Sequence, residues 1–387
     1  MGSARPDAPK QNLRGPRARD IGDDPAALPE GRLVENAANE ELHALVRELD
    51  EAQLRRFHRD MTVTRRFDVE AANLQRQGQM GLWVPSFGQE AAQVGSAYAR
   101  RQQDHVFPSY REHAVALANG VDLVDVIELL RGNTHGGWDP KHVNNFHLYT
   151  LVIGSQALHA NGYAMGIGLD GAYGSGDVER DEAVIVYFGD GATSQGDVSE
   201  AFVFAASYNT PQVFFLQNNH WAISVPVERQ SRTPLYLRST GFGIPAMQID
   251  GNDVLASYAA TRMSMDAART GQGPRFIEAL TYRIGAHTSS DDPTKYRDSA
   301  DVDAWRAKDP ISRFETYLRA LGTEESFFDE VREEAEAVAA DARARTLSMT
   351  PPDASVIFDH VYTDPHPLVA EQKAWLERYE ASYGENA

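Results

Sequence analysis

Between residues 40 and 77 apolar side chains recur every three or four positions, at Leu42, Leu45, Val46, Leu49, Leu54, Phe57, Met61 and Val63. That spacing predicts helices, broken at Gly78. Residues 89–101, small and apolar on one side, continue the helical pattern. The centre of the chain changes character. Residues 183–188 (AVIVYF) and 212–217 (QVFFLQ) are short, nearly unbroken apolar runs, as expected of parallel strands covered on both faces. Residues 198–208 between them read as a helix, giving a strand–helix–strand crossover whose hand is right in nearly all proteins. Two further strands are predicted at 246–250 and 275–283, separated by an Ala-rich helix at 254–268. From Pro310 the chain is helical and charged, as in 329–345, and is then punctuated by Pro351, Pro352, Pro365 and Pro367. No segment repeats. The expected fold is α/β: a central, mainly parallel sheet flanked by helices, with a helical C-terminal tail.

Three regions follow from this pattern. Residues 1–35 are rich in Pro, Gly, Arg and Asp without an apolar period, so they cannot offset the entropy of ordering and are expected to form a disordered arm. A mitochondrial transit helix there is disfavoured by the prolines and by Asp7, Asp20, Asp23 and Asp24. Residues 36–320 are expected to be one α/β domain and 321–387 a helical extension that packs on it or on another subunit.

Composition narrows the chemistry. The 387 residues contain no cysteine, which excludes disulfides, thiolate metal sites, cysteine-ligated clusters and thiol nucleophiles. With 56 acidic against 37 basic residues the net charge is −19, which repels phosphate backbones and argues against nucleic acid as a partner. Only five basic residues are lysine, a bias that fits either codon usage or a salt-rich cytoplasm. No apolar run approaches the ~20 residues of a membrane helix, and no signal-peptide core is visible, so a cytoplasmic protein without membrane contact is expected.

Gly189-Asp190-Gly191 closes the first central strand and Asn218-Asn219 the second, with 26 residues between the two motifs. If the strands are parallel neighbours, both motifs lie at carboxyl ends, where open α/β sheets bind ligands. Asp190 and Asn219 then offer two hard oxygens to one magnesium ion, and the glycines let backbone approach the ion and a diphosphate. Either motif alone reads as a turn; the pair, after two buried strands, does not.

The stretch 189–226, GDGATSQGDVSEAFVFAASYNTPQVFFLQNNHWAISVP, closely resembles the thiamin-diphosphate motif of the decarboxylating component, alpha subunit, of 2-oxo acid dehydrogenase complexes. The resemblance runs from about Leu54 to Leu318. It implies that Asp190 and Asn219 bind magnesium through side chains and Trp221 through its carbonyl, with Gly189, Gly191 and Ala192 against the diphosphate. Tyr110 and Arg111, in PSYREH, match the pair that holds the diphosphate, a task suited to a planar guanidinium. In LVIGSQALHANG, Leu151 lies against the cofactor and Ile153 takes the position that props it in its bent shape; without the resemblance Ile153 reads as core. Asp197 and Glu200 read as a helix-capping pair, and by resemblance as part of a buried carboxylate chain linking two active sites. TYRIGAHTSSDDPTKYR is similar to the family's mobile active-site loop, whose working residue is His287, an imidazole suited to proton transfer. Thr288 stands where regulated relatives carry a phosphorylatable serine. His135, His142 and His147 do not form a convincing ligand set.

The resemblance also implies what this chain lacks. The glutamate that activates thiamin belongs to a separate beta subunit, so the expected assembly is an α2β2 heterotetramer serving a lipoylated dihydrolipoyl acyltransferase core. The expected reaction is thiamin-dependent oxidative decarboxylation of a 2-oxo acid, pyruvate first and a branched-chain acid second, with transfer of the acyl group to lipoyl. An acetoin-cleaving relative and a non-catalytic assembly paralogue are the rival readings.

Overall fold

The computed structural model describes residues 39–134 and 137–384. The expected disordered arm and His135 lie outside the described residues. The described residues form seven strands: β1 (His105–Phe107), β2 (Val184–Gly189), β3 (Gln212–Asn218), β4 (Trp221–Ala222), β5 (Val225–Pro226), β6 (Ala246–Asp250) and β7 (Arg275–Leu280). Five of them form one parallel sheet in the order β1-β2-β3-β7-β6, while β4 and β5 make a two-residue antiparallel ladder beyond its carboxyl edge.

Strict alternation along the central strands explains why both faces are covered. Val184, Val186 and Phe188 of β2, with Phe214 and Leu216 of β3, enter one apolar cluster with helices Ser155–Leu169 and Gly196–Tyr208. Ile185, Tyr187, Val213 and Phe215 enter the other, with helices Glu51–Arg76, Glu90–Tyr98 and Val254–Ala267. The last two of these helices approach so closely at Gly95 that a Cβ there would stand 2.3 Å from the Val254 carbonyl oxygen. β1 escapes the sequence pattern because it is only three residues long, between Asp104 and Pro108. The last strand was expected to reach Arg283 but ends at Leu280. The chain nevertheless stays beside β3, since the Thr281 and Arg283 N–H groups donate to the Asn218 and Asn219 carbonyls.

Helix Glu51–Arg76 starts with a reciprocal cap between Asp50 and Gln53. Helix Glu325–Ser348 lies along it, burying Phe328, Val331, Ala335, Ala339 and Ala342. Arg59–Glu334, Arg66–Glu336 and Arg343–Glu70 ion pairs run beside the contact. No helix among the described residues is long and apolar enough to cross a membrane.

Candidate functional site

Where β2 ends, the chain turns through Asp190–Ser194 into helix Gly196–Tyr208. This geometry drives Asp190 inward until it is 1% exposed. Its carboxylate accepts a hydrogen bond from Gln230 Nε2 at 2.6 Å and has no ion-pair partner among the described residues. Burial pushes its pKa up to about 6, with the Gln230 hydrogen bond opposing the shift. One residue on, a Cβ at Gly191 would lie 2.9 Å from the Ala222 Cβ, so the site tolerates only glycine without movement.

Where β3 ends, Asn219 is 5% exposed; its Nδ2 donates to Gln89 Oε1 at 3.1 Å and its Oδ1 accepts the Trp221 N–H at 3.3 Å. The turn passes through His220 at φ +69°, a left-handed conformation unusual for a bulky residue. Buried Arg283 donates to the carbonyls of Trp221 (3.2 Å) and Ile223 (2.8 Å).

A cationic wall faces this corner. Arg111 is buried, donates to the Pro85 carbonyl, and reaches both Nδ1 and the backbone oxygen of His287 at 3.1 Å. Arginine cannot accept, so Nδ1 is the acceptor and the imidazole proton sits on Nε2. Burial, then the charges of Arg111 and Arg283, push His287 down to about 3, leaving a neutral ring that can donate from Nε2. Tyr110 completes the group: the Arg111 guanidinium lies 5.7 Å from its ring and His287 meets that ring edge-on at 6.4 Å. The His287 segment is tied at several points. Asp291 accepts from the His287 N–H (2.8 Å) and from the Tyr296 hydroxyl, Arg283 donates to that hydroxyl, and Trp83 and Ser289 exchange two hydrogen bonds.

The remaining expected residues are placed differently. Thr150 N–H donates to the Ser109 carbonyl at 3.0 Å, which brings the following loop beside Tyr110. Leu151, Val152 and Ile153 on that loop are 56%, 70% and 38% exposed, so Ile153 is not core in this chain. Ala192 is buried and Gly189 half-buried. Asp197 is half-buried and Glu200 exposed. The capping reading of that pair is overturned: Gln195 occupies the N-cap, no side chain caps the helix, and Asp197 already lies inside its first turn. His147 stacks on Phe107 and meets His105 at 3.2 Å, His142 is exposed, and no metal-ligand cluster exists among the described residues.

Of three residues that hold this corner together, two carry no local signal. Gln230 and Gln89 come from distant segments to meet Asp190 and Asn219. Arg283 stood in view, four residues before His287 at a strand exit, where a charged residue needs a purpose.

The dehydrogenase E1 component family matches residues 58–354. The chain is 42% identical, over 85% of its length and 88% of the relative's, to the 3-methyl-2-oxobutanoate dehydrogenase subunit alpha of Mycobacterium tuberculosis. It is 38% identical to the pyruvate dehydrogenase E1 component subunit alpha of Acholeplasma laidlawii (86% and 94% covered) and 36% identical to that of Staphylococcus aureus (87% and 89%). With the parallel sheet, the match over most of the chain and these relatives together, the chain belongs to the dehydrogenase E1 component family, as an alpha subunit of the 2-oxo acid dehydrogenase type.

Proposed function

We propose that this chain is the diphosphate-binding half of a thiamin-diphosphate-dependent 2-oxo acid dehydrogenase and acts with a beta subunit in an α2β2 assembly. The carrying observation is the pairing of opposite deficits in one corner: a buried Asp190 carboxylate without a cation, near Arg111 and Arg283, which have no carboxylate partner within ion-pair distance among the described residues. A magnesium ion held by Asp190, Asn219 and the Trp221 carbonyl, with the Arg283 donor withdrawn from that carbonyl, would relieve the first, and a diphosphate on Arg111, Tyr110 and His287 would relieve Arg111. Gly191 leaves the backbone bare beside them, and the exposed Leu151 and Ile153 are the side chains proposed to receive an apolar part of the ligand.

Bound thiamin supplies the carbanion chemistry, which side chains cannot. This chain's own contribution is to orient the diphosphate and to keep Arg111 and His287 in contact, with the His287 Nε2 proton available to a reacting oxygen or sulfur. The acyl acceptor is proposed to be the lipoyl group of a dihydrolipoyl acyltransferase core. The substrate is a 2-oxo acid; relative kcat/KM for pyruvate and 3-methyl-2-oxobutanoate on the reconstituted α/β enzyme decides between the two acids in the relatives' names, and turnover of acetoin instead replaces both.

Replacing Asn219 by alanine removes one hard oxygen ligand. Calorimetry on the α/β protein is expected to show magnesium-dependent thiamin diphosphate binding weakened ~10-fold or more, with far-ultraviolet circular dichroism unchanged. Full affinity in the variant overturns the site.

A further inference from the structure

In the middle of β7, flanked by β3 and β6, Glu278 is 1% exposed and, among the described residues, meets only neutral donors. One carboxylate oxygen accepts from Asn218 Nδ2 at 2.7 Å. The other accepts from Gln248 Nε2 at 3.0 Å and from the Tyr236 backbone N–H at 3.1 Å. An ionised group inside a sheet is costly, and Glu278 touches none of the residues assigned to the ligand. Its effect passes through Asn218. Because the Asn218 amide nitrogen is committed to the carboxylate, its oxygen faces the other way and accepts the His220 N–H at 3.1 Å. His220 is the residue at φ +69°, with its ring against Tyr282 and Trp305 at 6.0 and 5.3 Å. The turn between Asn219 and Trp221 is therefore held by a donor–acceptor chain that starts in the sheet.

We infer that Glu278 is a positioning residue for this turn: it fixes the orientation of the Asn218 amide, which holds the His220 N–H and so keeps Asn219 and the Trp221 carbonyl in the arrangement that receives a divalent cation. The inference rests on the cation reading of Asp190, Asn219 and Trp221. It also separates Glu278 from a plain structural role, because polarity alone distinguishes three variants. In Glu278→Gln the amide oxygen still serves Gln248 and Tyr236, but the new NH2 faces the Asn218 NH2. Two donors cannot pair, so Asn218 rotates and its oxygen leaves the His220 N–H. Adding Asn218→Asp repairs the chain, since one oxygen of the introduced carboxylate accepts from the introduced amide and the other from the His220 N–H. Asn218→Asp alone sets two carboxylates against each other.

The test titrates magnesium chloride into the coexpressed α/β protein at saturating thiamin diphosphate and reads the melting temperature. Glu278→Gln is expected to raise the magnesium concentration for half of the stabilising shift ~10- to ~100-fold, the usual cost of losing support behind a metal ligand, with little change in the metal-free melting temperature. The Glu278→Gln/Asn218→Asp pair is expected to return it to the wild-type range. Wild-type magnesium dependence in the single variant, or an equal loss in the single and the pair, overturns the inference. A lowered metal-free melting temperature with unchanged magnesium dependence also overturns it, leaving Glu278 as scaffold. Should the single variant fail to assemble, the pair decides in the same way, wild-type dependence supporting the inference and weakened dependence refuting it. Asn219→Ala in the same titration tests the underlying reading: if that variant keeps its magnesium response, the cation site itself is wrong whatever Glu278 does.

Discussion

At the carboxyl ends of β2 and β3, Asp190, Asn219 and Arg111 are buried, His287 is largely so, and each is held by a side chain from another part of the chain. Next to them the construction reverses. Leu151, Val152 and Ile153 face water, and helix Gly196–Tyr208 exposes Val203, Phe204 and Tyr208 beside Glu200. The loop and this helix adjoin, since a Cβ at Gly154 would lie 3.1 Å from Gln195 Cβ at the start of that helix. Polar groups aimed at charge must be fixed before a ligand arrives, because reorganising them at the moment of reaction is costly. Apolar surface needs no such aiming and can wait for another surface to cover it. In the proposed reading this chain completes the polar half of a site and leaves the apolar half open, as a subunit would.

Separating the chain from its partner is the strongest way to break that comparison. Purified alone it is expected to show no measurable decarboxylation with an artificial electron acceptor, and coexpression with the beta subunit is expected to restore it. Substantial turnover by this chain alone means the open half is not half of a shared site. The next largest effect lies in the finished half. His287→Ala is expected to depress flux through the whole complex by ~100- to ~10,000-fold, and decarboxylation with the artificial acceptor far less, under saturating thiamin diphosphate. Equal losses in both assays move His287 from acyl transfer to decarboxylation or cofactor placement.

Within the open half, Phe204 stacks with Tyr208 on an exposed helical face. Truncating an aromatic anchor at an interface centre typically costs about 2–4 kcal/mol of association. Phe204→Ala is therefore expected to shift sedimentation of the α/β protein toward dissociated subunits while leaving the circular dichroism of this chain intact. Unchanged sedimentation over a dilution series removes this face from the interface.

The same contrast governs what the sequence reveals. β2 and β3 are legible because strands covered on both faces must be largely apolar, and the motifs at their ends are legible because glycine, Asp and Asn are local requirements of a turn and, in the proposed reading, of an ion. Helix Ser155–Leu169 is not legible as a helix: its glycines and small residues give no strong period, since it is apolar on several sides and packs through Ala157, Ala160 and Ala164. Gln89, Gln230 and Glu278 are equally silent, because their meaning is a partner 130, 40 and 60 residues away. Sequence reasoning locates the groups that meet a ligand more readily than the groups that hold them.

The smallest expected effect tests whether the finished half is strained while it waits. Burial raises Asp190 to about 6 from an ordinary 3.8, so the folded protein binds this proton more tightly than the unfolded chain does. A raised carboxylate pKa contributes stability at low pH that is lost as pH rises from about 4 through 6 and stays lost above. Each pKa unit corresponds to about 1.4 kcal/mol, and an asparagine brings an N–H pair needing its own partner, so the net gain from Asp190→Asn at pH 8 is about 2 kcal/mol. The cofactor-free variant is therefore expected to resist urea better than wild type at pH 8 and to converge with it near pH 4. Buried Asp68, raised to about 7, and the lowered histidines titrate in both proteins and cancel in the difference. The same variant is expected to lose the stabilisation that magnesium and thiamin diphosphate give wild type, because an amide replaces the anionic ligand. A parallel pH trend in the two cofactor-free proteins means that Asp190 is not held under electrostatic stress, and the buried carboxylate then no longer argues for a cation.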